Sequence, residues 1–139
     1  MERSLILIKP DAMQRGLVGT IIDRLEKVGL KVVAMKMLHM DKTLAQRHYA
    51  IHKDKPFFAN LVNYITSAPI IAVVLEGEKA IELIRKTMGA TDPAKAEPGT
   101  IRGDFGLDIE RNTIHGSDSI ETAATEIKLF FDEGEIFGY

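Results

Sequence analysis

The spacing of hydrophobic residues changes along the chain, and these changes predict four strands and several helices. Residues 5–8 and 70–75 are uninterrupted apolar runs, which are typical of buried strands. A longer apolar stretch at 30–40 predicts another strand, and residues 112–117 allow a short fourth one. Lys9-Pro10-Asp11 follows the first run and predicts a turn at that point.

Between these strands, apolar residues recur every three or four positions, as they do on one face of a helix. The first such set is Leu17, Val18, Ile21, Ile22, Leu25 and Val28. Gly29 predicts the end of this helix, because glycine readily takes the left-handed conformation that often follows a helix. Residues 43–51, 58–65 and 78–88 are expected to form three further helices.

The last helix is predicted from an apolar stripe and a start signal. The stripe consists of Ile120, Ala123, Ala124, Ile127, Phe130 and Phe131. Asp118 and Glu121 are three residues apart and resemble a capping box with aspartate in the cap position. Residues 89–111 lack regular patterning and contain Pro93 and Pro98, so we expect a long loop there, either functional or disordered.

The strand expected at 30–40 has apolar residues on both faces. One face carries Val33, Met35 and Met37, and the other carries Val32, Ala34, Leu38 and Met40. A strand that is buried on both sides needs helices on one face and another cover on the second. A partner subunit is a reasonable candidate for that second cover.

Alternation of helices and strands does not decide the topology. The order βαβααβα-loop-βα is compatible with a doubly wound parallel sheet. It is equally compatible with four antiparallel strands that carry helices on one face. The pattern alone leaves both alternatives open.

Composition narrows the class of protein. The 139 residues are expected to form a single domain, residues 1–139. A net charge of −2 gives no overall field that would attract nucleic acid or an anionic membrane, so anionic substrates would need locally placed cations. The chain has no cysteine, and its N-terminal apolar run is too short for a membrane span, so we expect a cytoplasmic protein.

Known phosphate-binding sequence motifs and a convincing metal site are both absent from the sequence. There is no glycine-rich phosphate loop of the P-loop or dinucleotide-binding type, so side chains would have to hold phosphates. His48 and His52 are four residues apart on a predicted helix and could both face one metal ion. No third ligand is signalled, which disfavours zinc, and His39 is interpreted as a structural histidine.

His115 is the histidine whose surroundings best fit chemistry. Gly116 follows it and is expected to leave room for a bulky group, and the next residues are expected to open a helix that favours anions. A free imidazole has a pKa of about 6.5, so at cytoplasmic pH such a ring is largely neutral and nucleophilic. Glu126, roughly 40° outside the apolar stripe of the last helix, could fix its tautomer. A purely structural histidine is the alternative.

Other residues could bind an anion, although each taken singly has a structural alternative. Lys9 ends a buried strand, Arg85 borders a helical stripe, and Arg102 lies in the long loop. Arginine makes forked phosphate contacts and lysine makes a point contact. Thr91 and Tyr49 could add hydroxyl groups, and Phe57 could be either a core residue or a stacking platform for a base.

Four separated segments together resemble the nucleoside diphosphate kinase family over essentially the whole chain. Asn112-Thr113-Ile114-His115-Gly116-Ser117-Asp118-Ser119 resembles its active-site signature. Ile8-Lys9-Pro10-Asp11 with Gln14-Arg15-Gly16-Leu17-Val18-Gly19 resembles its N-terminal motif. His48-Tyr49 with Lys55-Pro56-Phe57-Phe58, and Pro98-Gly99-Thr100-Ile101-Arg102-Gly103-Asp104-Phe105, resemble two further blocks.

The resemblance implies a role for each matching residue. His115 matches the phosphorylated histidine, Glu126 would hold its far nitrogen, and Ser117 would support that glutamate. Phosphate contacts are implied for Lys9, Tyr49, Arg85, Thr91, Arg102 and His52, with Lys9 also near the sugar. Phe57 and Ile109 would sandwich the base, and Asn112 would bind the ribose hydroxyls.

The resemblance also implies a fold, a reaction and partners. The fold is α+β, a ferredoxin-like four-stranded antiparallel sheet with helices packed on it. The reaction is ping-pong transfer of the terminal phosphoryl group from a nucleoside triphosphate, usually ATP, to a nucleoside diphosphate. Mg²⁺ would be carried by the nucleotide phosphates, with no protein metal site. The family's homo-oligomers are built on dimers, and the chain, ending at Tyr139, leaves tetramer and hexamer both open.

The alternative function is a nucleotide- or nucleic-acid-binding regulator that keeps the fold without turnover. Such a protein would be expected to have lost His115 or one of the arginines, and none is missing. The net charge of −2 also argues against nucleic acid as the main ligand.

Overall fold

A computed structural model describes residues 1–139 and contains one four-stranded antiparallel sheet. The strands are β1 (Glu2–Ile8), β2 (Lys31–Leu38), β3 (Ile70–Gly77) and β4 (Ile114–Gly116), in the spatial order β2-β3-β1-β4. The helices are α1 (Pro10–Gln14), α2 (Val18–Lys27), α3 (Lys42–His48), α4 (Phe58–Ile65), α5 (Ala80–Met88), α6 (Ile101–Phe105) and α7 (Ile120–Phe130). Because every pairing is antiparallel, the doubly wound alternative is excluded.

The two uninterrupted apolar runs form the centre of the sheet, as a strand buried on both faces should. β1 pairs along its whole length with β3, from Glu2 opposite Gly77 to Ile8 opposite Ile71. On its other side β1 pairs with the short strand β4, where Leu7 lies opposite His115. This pairing places His115 beside β1, one of the two central strands of the sheet.

Helices cover both faces of the sheet, whereas the antiparallel alternative from the sequence pattern had them on one face. On one face, Ile6 and Ile8 of β1 pack with residues of α2 and α5 such as Ile21 and Ile84. On the other face, Leu5, Leu7 and neighbouring strand residues pack with α3, α4 and α7. Alternate residues of β1 thus point into two separate cores. No helix has the length and apolar character that a membrane crossing requires.

Strand β2 differs from its prediction because it contains a bulge. The pairing register with β3 shifts between Val32 and Ala34, which adds one residue to this strand. Val33 and Ala34 are both buried, while Met35 and Met37 are 50% and 63% exposed. The predicted assignment of Val33 to the same face as the two methionines is therefore wrong. β2 is an edge strand, and its methionines lie on the open outer part of the sheet.

Two segments predicted to be irregular are helical. Pro10 begins α1 at the position after the cap, where its missing N–H costs no helical hydrogen bond. The long segment 89–111 contains α6 and a short 3₁₀ turn at Pro93–Lys95. Thr100 caps α6 by accepting a hydrogen bond from the Gly103 N–H. Five residues are too few to show a helical period in the sequence.

The start of the last helix also differs from its prediction. Ser119 caps α7 and accepts the Thr122 N–H, so the capping box expected for Asp118 is wrong by one residue. Ile120 is 63% exposed, and Glu126 takes a buried position instead. The final turn of the stripe, with Phe130 buried against the sheet, is confirmed.

Candidate active site

A cavity of about 580 Å³ lies where the ends of several elements meet. It is lined by every residue predicted for the site except Ser117, namely Lys9, Tyr49, His52, Phe57, Arg85, Thr91, Arg102, Ile109, Asn112, His115 and Glu126. These residues come from segments that are up to 117 positions apart in the chain, counted from Lys9 to Glu126. The chain brings the predicted residues together around one space.

His115 and Glu126 form the polar centre of the cavity. The Nε2 of His115 lies 3.0 Å from the Oε1 of Glu126, and Ser117 Oγ donates to the same oxygen at 2.7 Å. Ser117 is fully buried behind the glutamate, which explains why it does not line the cavity. The His115 side chain is 26% exposed, so one edge of its ring reaches the cavity.

The charge of Glu126 is kept despite its burial. Burial alone raises the pKa of a carboxyl group, but the hydrogen bond and charge of His115, together with the hydrogen bond from Ser117, outweigh burial and lower the pKa of Glu126. Glu126 is therefore a carboxylate that accepts the Nε2 proton of His115. This arrangement selects the tautomer in which Nδ1 carries the free lone pair.

Gly116 allows close packing that was not predicted from the sequence. A Cβ at this position would lie 2.6 Å from Met88 Sδ and 3.2 Å from Ile84 Cγ2, so glycine is needed there for α5 to pack against β4. Gly116 also lines the cavity beside His115. The close packing brings Arg85 of the same helix to the Gly116 carbonyl, with Nη1 3.4 Å from the oxygen.

Lys9 is held in a fixed position by the segment before β4. Its Nζ donates to Asn112 Oδ1 at 2.8 Å and to the Glu110 carbonyl at 2.6 Å. Asn112 in turn donates to the Thr91 carbonyl at 3.0 Å. Burial lowers the pKa of Lys9 to about 8, with nearby Arg102 contributing in the same direction. The ammonium group is thus poised to gain from an anionic partner.

The guanidinium of Arg102 is oriented by two backbone carbonyls. Nη2 donates to the Ile114 carbonyl at 2.7 Å, and Nη1 donates to the Gly89 carbonyl at 3.2 Å. Burial, and then the charge of Arg85, lower the pKa of Arg102 to about 10, so it stays protonated at neutral pH. Two like charges near one cavity favour an anion between them.

Tyr49 and two apolar residues complete the lining. Burial, and then the charge of Glu126, raise the pKa of Tyr49, so its phenol stays a hydrogen-bond donor at neutral pH. Phe57 and Ile109 are 43% and 61% exposed although both are large and apolar. The ring of His52 lies 5.4 Å from that of Phe57, centroid to centroid. An apolar surface of this kind fits a flat aromatic ligand.

A positioning network in the structure was not predicted from the sequence. Tyr64 donates to Asp11 Oδ1 at 2.6 Å, and Asp11 Oδ2 accepts the Thr113 N–H at 3.0 Å. Thr113 has φ of 75°, a left-handed conformation that is rare for a β-branched residue. The network holds this strained turn just before His115. Local sequence gives no signal for it, since Asp11 and Thr113 are 102 positions apart.

His48 is a second unexpected neighbour of the centre. Its ring lies 4.7 Å from that of His115, centroid to centroid, at an interplanar angle of 84°. The α-helix that was expected to present His48 together with His52 ends at His48. The structure instead groups His48 with His115 and Glu126.

Relatives of known name match the chain over its full length. A protein named nucleoside diphosphate kinase from Dehalococcoides mccartyi (strain ATCC BAA-2266 / KCTC 15142 / 195) is 60% identical over 139 residues, which cover 100% of this chain and 98% of the relative. A protein of the same name from Archaeoglobus fulgidus is 57% identical, with 100% and 92% covered.

Solved structures agree in fold as well as sequence. The nucleoside diphosphate kinase of Aquifex aeolicus has a TM-score of 0.96 and 43% identity, covering 98% of this chain and 99% of that one. A halophilic nucleoside diphosphate kinase from Halobacterium salinarum, in complex with CDP, has a TM-score of 0.97 and 51% identity, covering 99% and 92%. The predicted ferredoxin-like α+β fold is confirmed. Residues 2–136 also match the profile described as nucleoside diphosphate kinase, and the chain belongs to this family of phosphotransferases.

Proposed function

We propose that this enzyme moves the terminal phosphoryl group of a nucleoside triphosphate, usually ATP, to a nucleoside diphosphate through a phosphorylated His115. The observation that carries this proposal is the 3.0 Å contact between His115 Nε2 and Glu126. Because Nε2 donates its proton to the carboxylate, Nδ1 keeps the free lone pair and would be the nucleophilic nitrogen. The mechanism is ping-pong, since one site serves both nucleotides in turn.

In the first half-reaction the Nδ1 lone pair attacks the terminal phosphorus. The Nδ1–P bond forms while the bond from phosphorus to the bridging oxygen breaks, and its electron pair leaves on the diphosphate. The ring becomes cationic, and the Glu126 carboxylate stabilises that charge. In the second half-reaction a terminal oxygen of another diphosphate attacks the phosphorus, and the electron pair returns to Nδ1.

Cationic groups around the cavity would stabilise the transferring phosphoryl group. Phosphoryl transfer depends on in-line placement and on neutralising the charge of the phosphate oxygens. Arg102 and Arg85 each donate to a backbone carbonyl group of β4, and Lys9 is fixed just after the end of β1. Tyr49 would donate its phenolic proton to a phosphate oxygen, and His52 and Thr91 line the same part of the cavity.

The apolar residues at the rim of the cavity would hold the base without distinguishing one base from another. Phe57 and Ile109 are exposed large side chains that line the cavity, and stacking tolerates every base. Asn112 would bind the ribose hydroxyls through the side chain that already contacts Lys9. The solved relative from Halobacterium salinarum is in complex with CDP, which supports a diphosphate as ligand of this fold.

Kinases of this family need a divalent metal, and we infer that it is Mg²⁺ carried by the nucleotide. The donor groups of the cavity fit this inference, since the one cluster of possible ligands contains two histidines, whereas Mg²⁺ prefers oxygen. The ion would neutralise charge on the phosphates when bound. Lys9, Arg85 and Arg102 supply the remaining positive charge.

We also infer a homo-oligomer built from dimers, made of single-domain chains that span residues 1–139. The exposed Met35 and Met37 on the edge strand β2 support a subunit contact at that edge. Light scattering of the purified protein would separate tetramer from hexamer, and a monomer would contradict the inference. A cytoplasmic location stays a prediction from the sequence.

Two-substrate kinetics test the proposed mechanism. Initial rates measured at several fixed diphosphate concentrations should give parallel double-reciprocal lines, because the two nucleotides never occupy the enzyme together. The His115→Ala variant, whose fold is checked by circular dichroism, should exchange no phosphate. Converging lines, or an active His115→Ala variant, would overturn the proposal.

A further inference from the structure

His48 is buried but has no hydrogen-bond partner in the protein. Its side chain is 1% exposed, and neither Nδ1 nor Nε2 is paired. Most buried polar atoms are paired, since an unpaired one loses its hydration without compensation. Aromatic rings of Tyr49, His115 and Phe130 surround the imidazole edge to face. The nucleotide mechanism above makes no use of this ring.

His48 lies close to two other possible ligand groups. His48 Nδ1 lies 3.7 Å from Glu126 Oε2, and His115 Nε2 lies 3.0 Å from Glu126 Oε1. One donor atom from each of these three residues lies within 4.8 Å of the other two. Tetrahedral zinc, with bonds of about 2.0–2.2 Å, needs donors roughly 3.5 Å apart. Movements of about an ångström in these side chains would close the site around an ion.

We propose that His48, His115 and Glu126 form a binding site for a zinc-class transition-metal ion, and that the bound ion switches the enzyme off. Three protein ligands and one open position facing the cavity give the geometry of an open tetrahedral site. The cavity provides the entry path, because all three residues line it.

The chemistry of the ligands separates this site from that of the nucleotide's metal. Two imidazoles and one carboxylate suit Zn²⁺ and its neighbours in the first transition row, while Mg²⁺ takes oxygen ligands in an octahedron. A neutral imidazole offers one unprotonated ring nitrogen to a metal ion, because its single proton lies on the other nitrogen. The Glu126 carboxylate provides the compensating negative charge.

Coordination would inactivate His115 by changing its tautomer. A metal on Nε2 takes the lone pair of that nitrogen, so the single proton of the neutral ring moves through solvent to Nδ1. Nδ1–H has no free lone pair and cannot attack phosphorus. This consequence rests on the proposed phosphorylation of His115, whereas the binding itself does not.

Binding is tested first without any nucleotide. Zinc titrated into ¹⁵N-histidine-labelled protein should shift the ring nitrogens of His48 and His115 and move the His115 proton from Nε2 to Nδ1. Cobalt should give the visible absorption of a tetrahedral site, and zinc should displace it, while excess Mg²⁺ should not. Unchanged histidine spectra would overturn the proposal without the need for any variant.

Variants then identify the ligands. His48→Phe, whose fold is checked by circular dichroism, should weaken zinc binding at least roughly tenfold, because losing even an outer partner of a bound metal has an effect of that size. Glu126→Gln should do the same, and the matched control His39→Ala, at an exposed histidine outside the cavity, should not. Loss of binding in His52→Phe but not in Glu126→Gln would assign the metal to the His48–His52 pair and refute the site.

Inhibition is tested separately from binding. Zinc should slow phosphoryl uptake from MgATP in the unmodified enzyme and in His39→Ala. In His48→Phe, the zinc concentration that gives the same fractional inhibition, relative to the rate of that variant without zinc, should be at least about tenfold higher. Equal sensitivity in all three would refute the switch. Zinc binding with the expected ¹⁵N shifts in a protein whose His115 is never phosphorylated would refute the proposed function and leave the metal site standing.

Discussion

His115 Nε2 and Glu126 Oε1 lie 3.0 Å apart, although one residue belongs to a three-residue edge strand and the other to the middle of α7. The contact depends on the whole of one face of the sheet, because α7 packs against β1 and β1 pairs with β4. It fixes the orientation of the histidine ring, with Nε2 hydrogen-bonded and Nδ1 free. The chemistry therefore depends on tertiary packing and not on the local sequence around His115.

Replacing Glu126 by glutamine tests this contact. An amide can accept the Nε2 proton but lacks the charge that stabilises the cationic ring after attack. Losing a charge-assisted hydrogen bond costs about 1.5–3 kcal/mol, so the rate of His115 phosphorylation should fall roughly 10- to 150-fold. Rapid-quench measurement of phosphoryl uptake checks it. A variant that is phosphorylated at the original rate would show that the carboxylate has no role in the step.

Replacing Ser117 by alanine should have a smaller effect through the same glutamate. The Oγ hydroxyl donates to Glu126 Oε1 at 2.7 Å in a fully buried position. Its loss should raise the pKa of Glu126 and slow phosphoryl uptake by about tenfold or less, since one buried hydrogen bond contributes about 1 kcal/mol. Measuring phosphoryl uptake under the same conditions in Ser117→Ala and Glu126→Gln shows which substitution slows it more. A larger loss in Ser117→Ala would contradict the supporting role.

Lys9 predicts an alkaline limit of activity. Its pKa is lowered from 10.5 to about 8, so the free enzyme loses this positive charge as the pH rises through about 8. kcat/KM for the nucleotide should fall above that pH, because this ratio reports groups of the free enzyme. In Lys9→Arg the guanidinium stays charged, so the fall in kcat/KM should occur at a higher pH, whatever the absolute rate of the variant. An unchanged profile would assign the limit to another group.

His48 predicts acid sensitivity of the fold. Its pKa is lowered from 6.5 to about 3, so the unfolded chain binds a proton between these values that the folded protein does not. The neutral His48 ring therefore makes its full contribution to the free energy of unfolding above about pH 6.5, and this contribution is lost as the pH falls toward 3. Between about pH 6.5 and pH 5 this amounts to about 2 kcal/mol, at 1.36 kcal/mol per pKa unit.

Urea unfolding at both pH values, with a chelator present, measures the difference. His48→Phe should lose about 2 kcal/mol less than the unmodified protein over this interval. Glu126, whose pKa is also lowered, adds its own acid sensitivity in the range below its ordinary value of 4.5. His39→Ala serves as the control and should follow the unmodified protein. Equal losses in the two histidine variants would contradict the account.

The sequence predicts secondary structure best where a strand or helix buries its residues in a regular pattern. The apolar runs of β1 and β3 and the helical period of α4 could be read directly, since burial imposes those periods. The five-residue helix α6 shows no period and depends instead on distant groups. Arg24 pairs with Asp104 at 2.7 Å and lies 4.8 Å from the Phe105 ring centroid. Such contacts become visible only after folding.

The candidate site shows the same division. The family motifs identify the residues that line the cavity, and the position of Glu126 on the last helix indicates a residue that could reach His115. Its angle outside the apolar stripe does not predict how deeply Glu126 is buried. The bulge between Val32 and Ala34 and the strained turn at Thr113 could not be predicted, because both are imposed by partner strands and a buried aspartate. The placement of His48 beside His115 likewise requires α3 and α7 to pack together.

Transfer of label through the isolated protein tests the central claim most directly. The enzyme is incubated with terminally labelled ATP and Mg²⁺, freed of nucleotide, and then mixed rapidly with an unlabelled diphosphate such as CDP. We expect an acid-labile, base-stable label on His115 that passes to the diphosphate at least as fast as steady-state turnover. Label on another residue, slower transfer than turnover, or equal labelling of His115→Ala would contradict a phosphorylated His115 as the carrier.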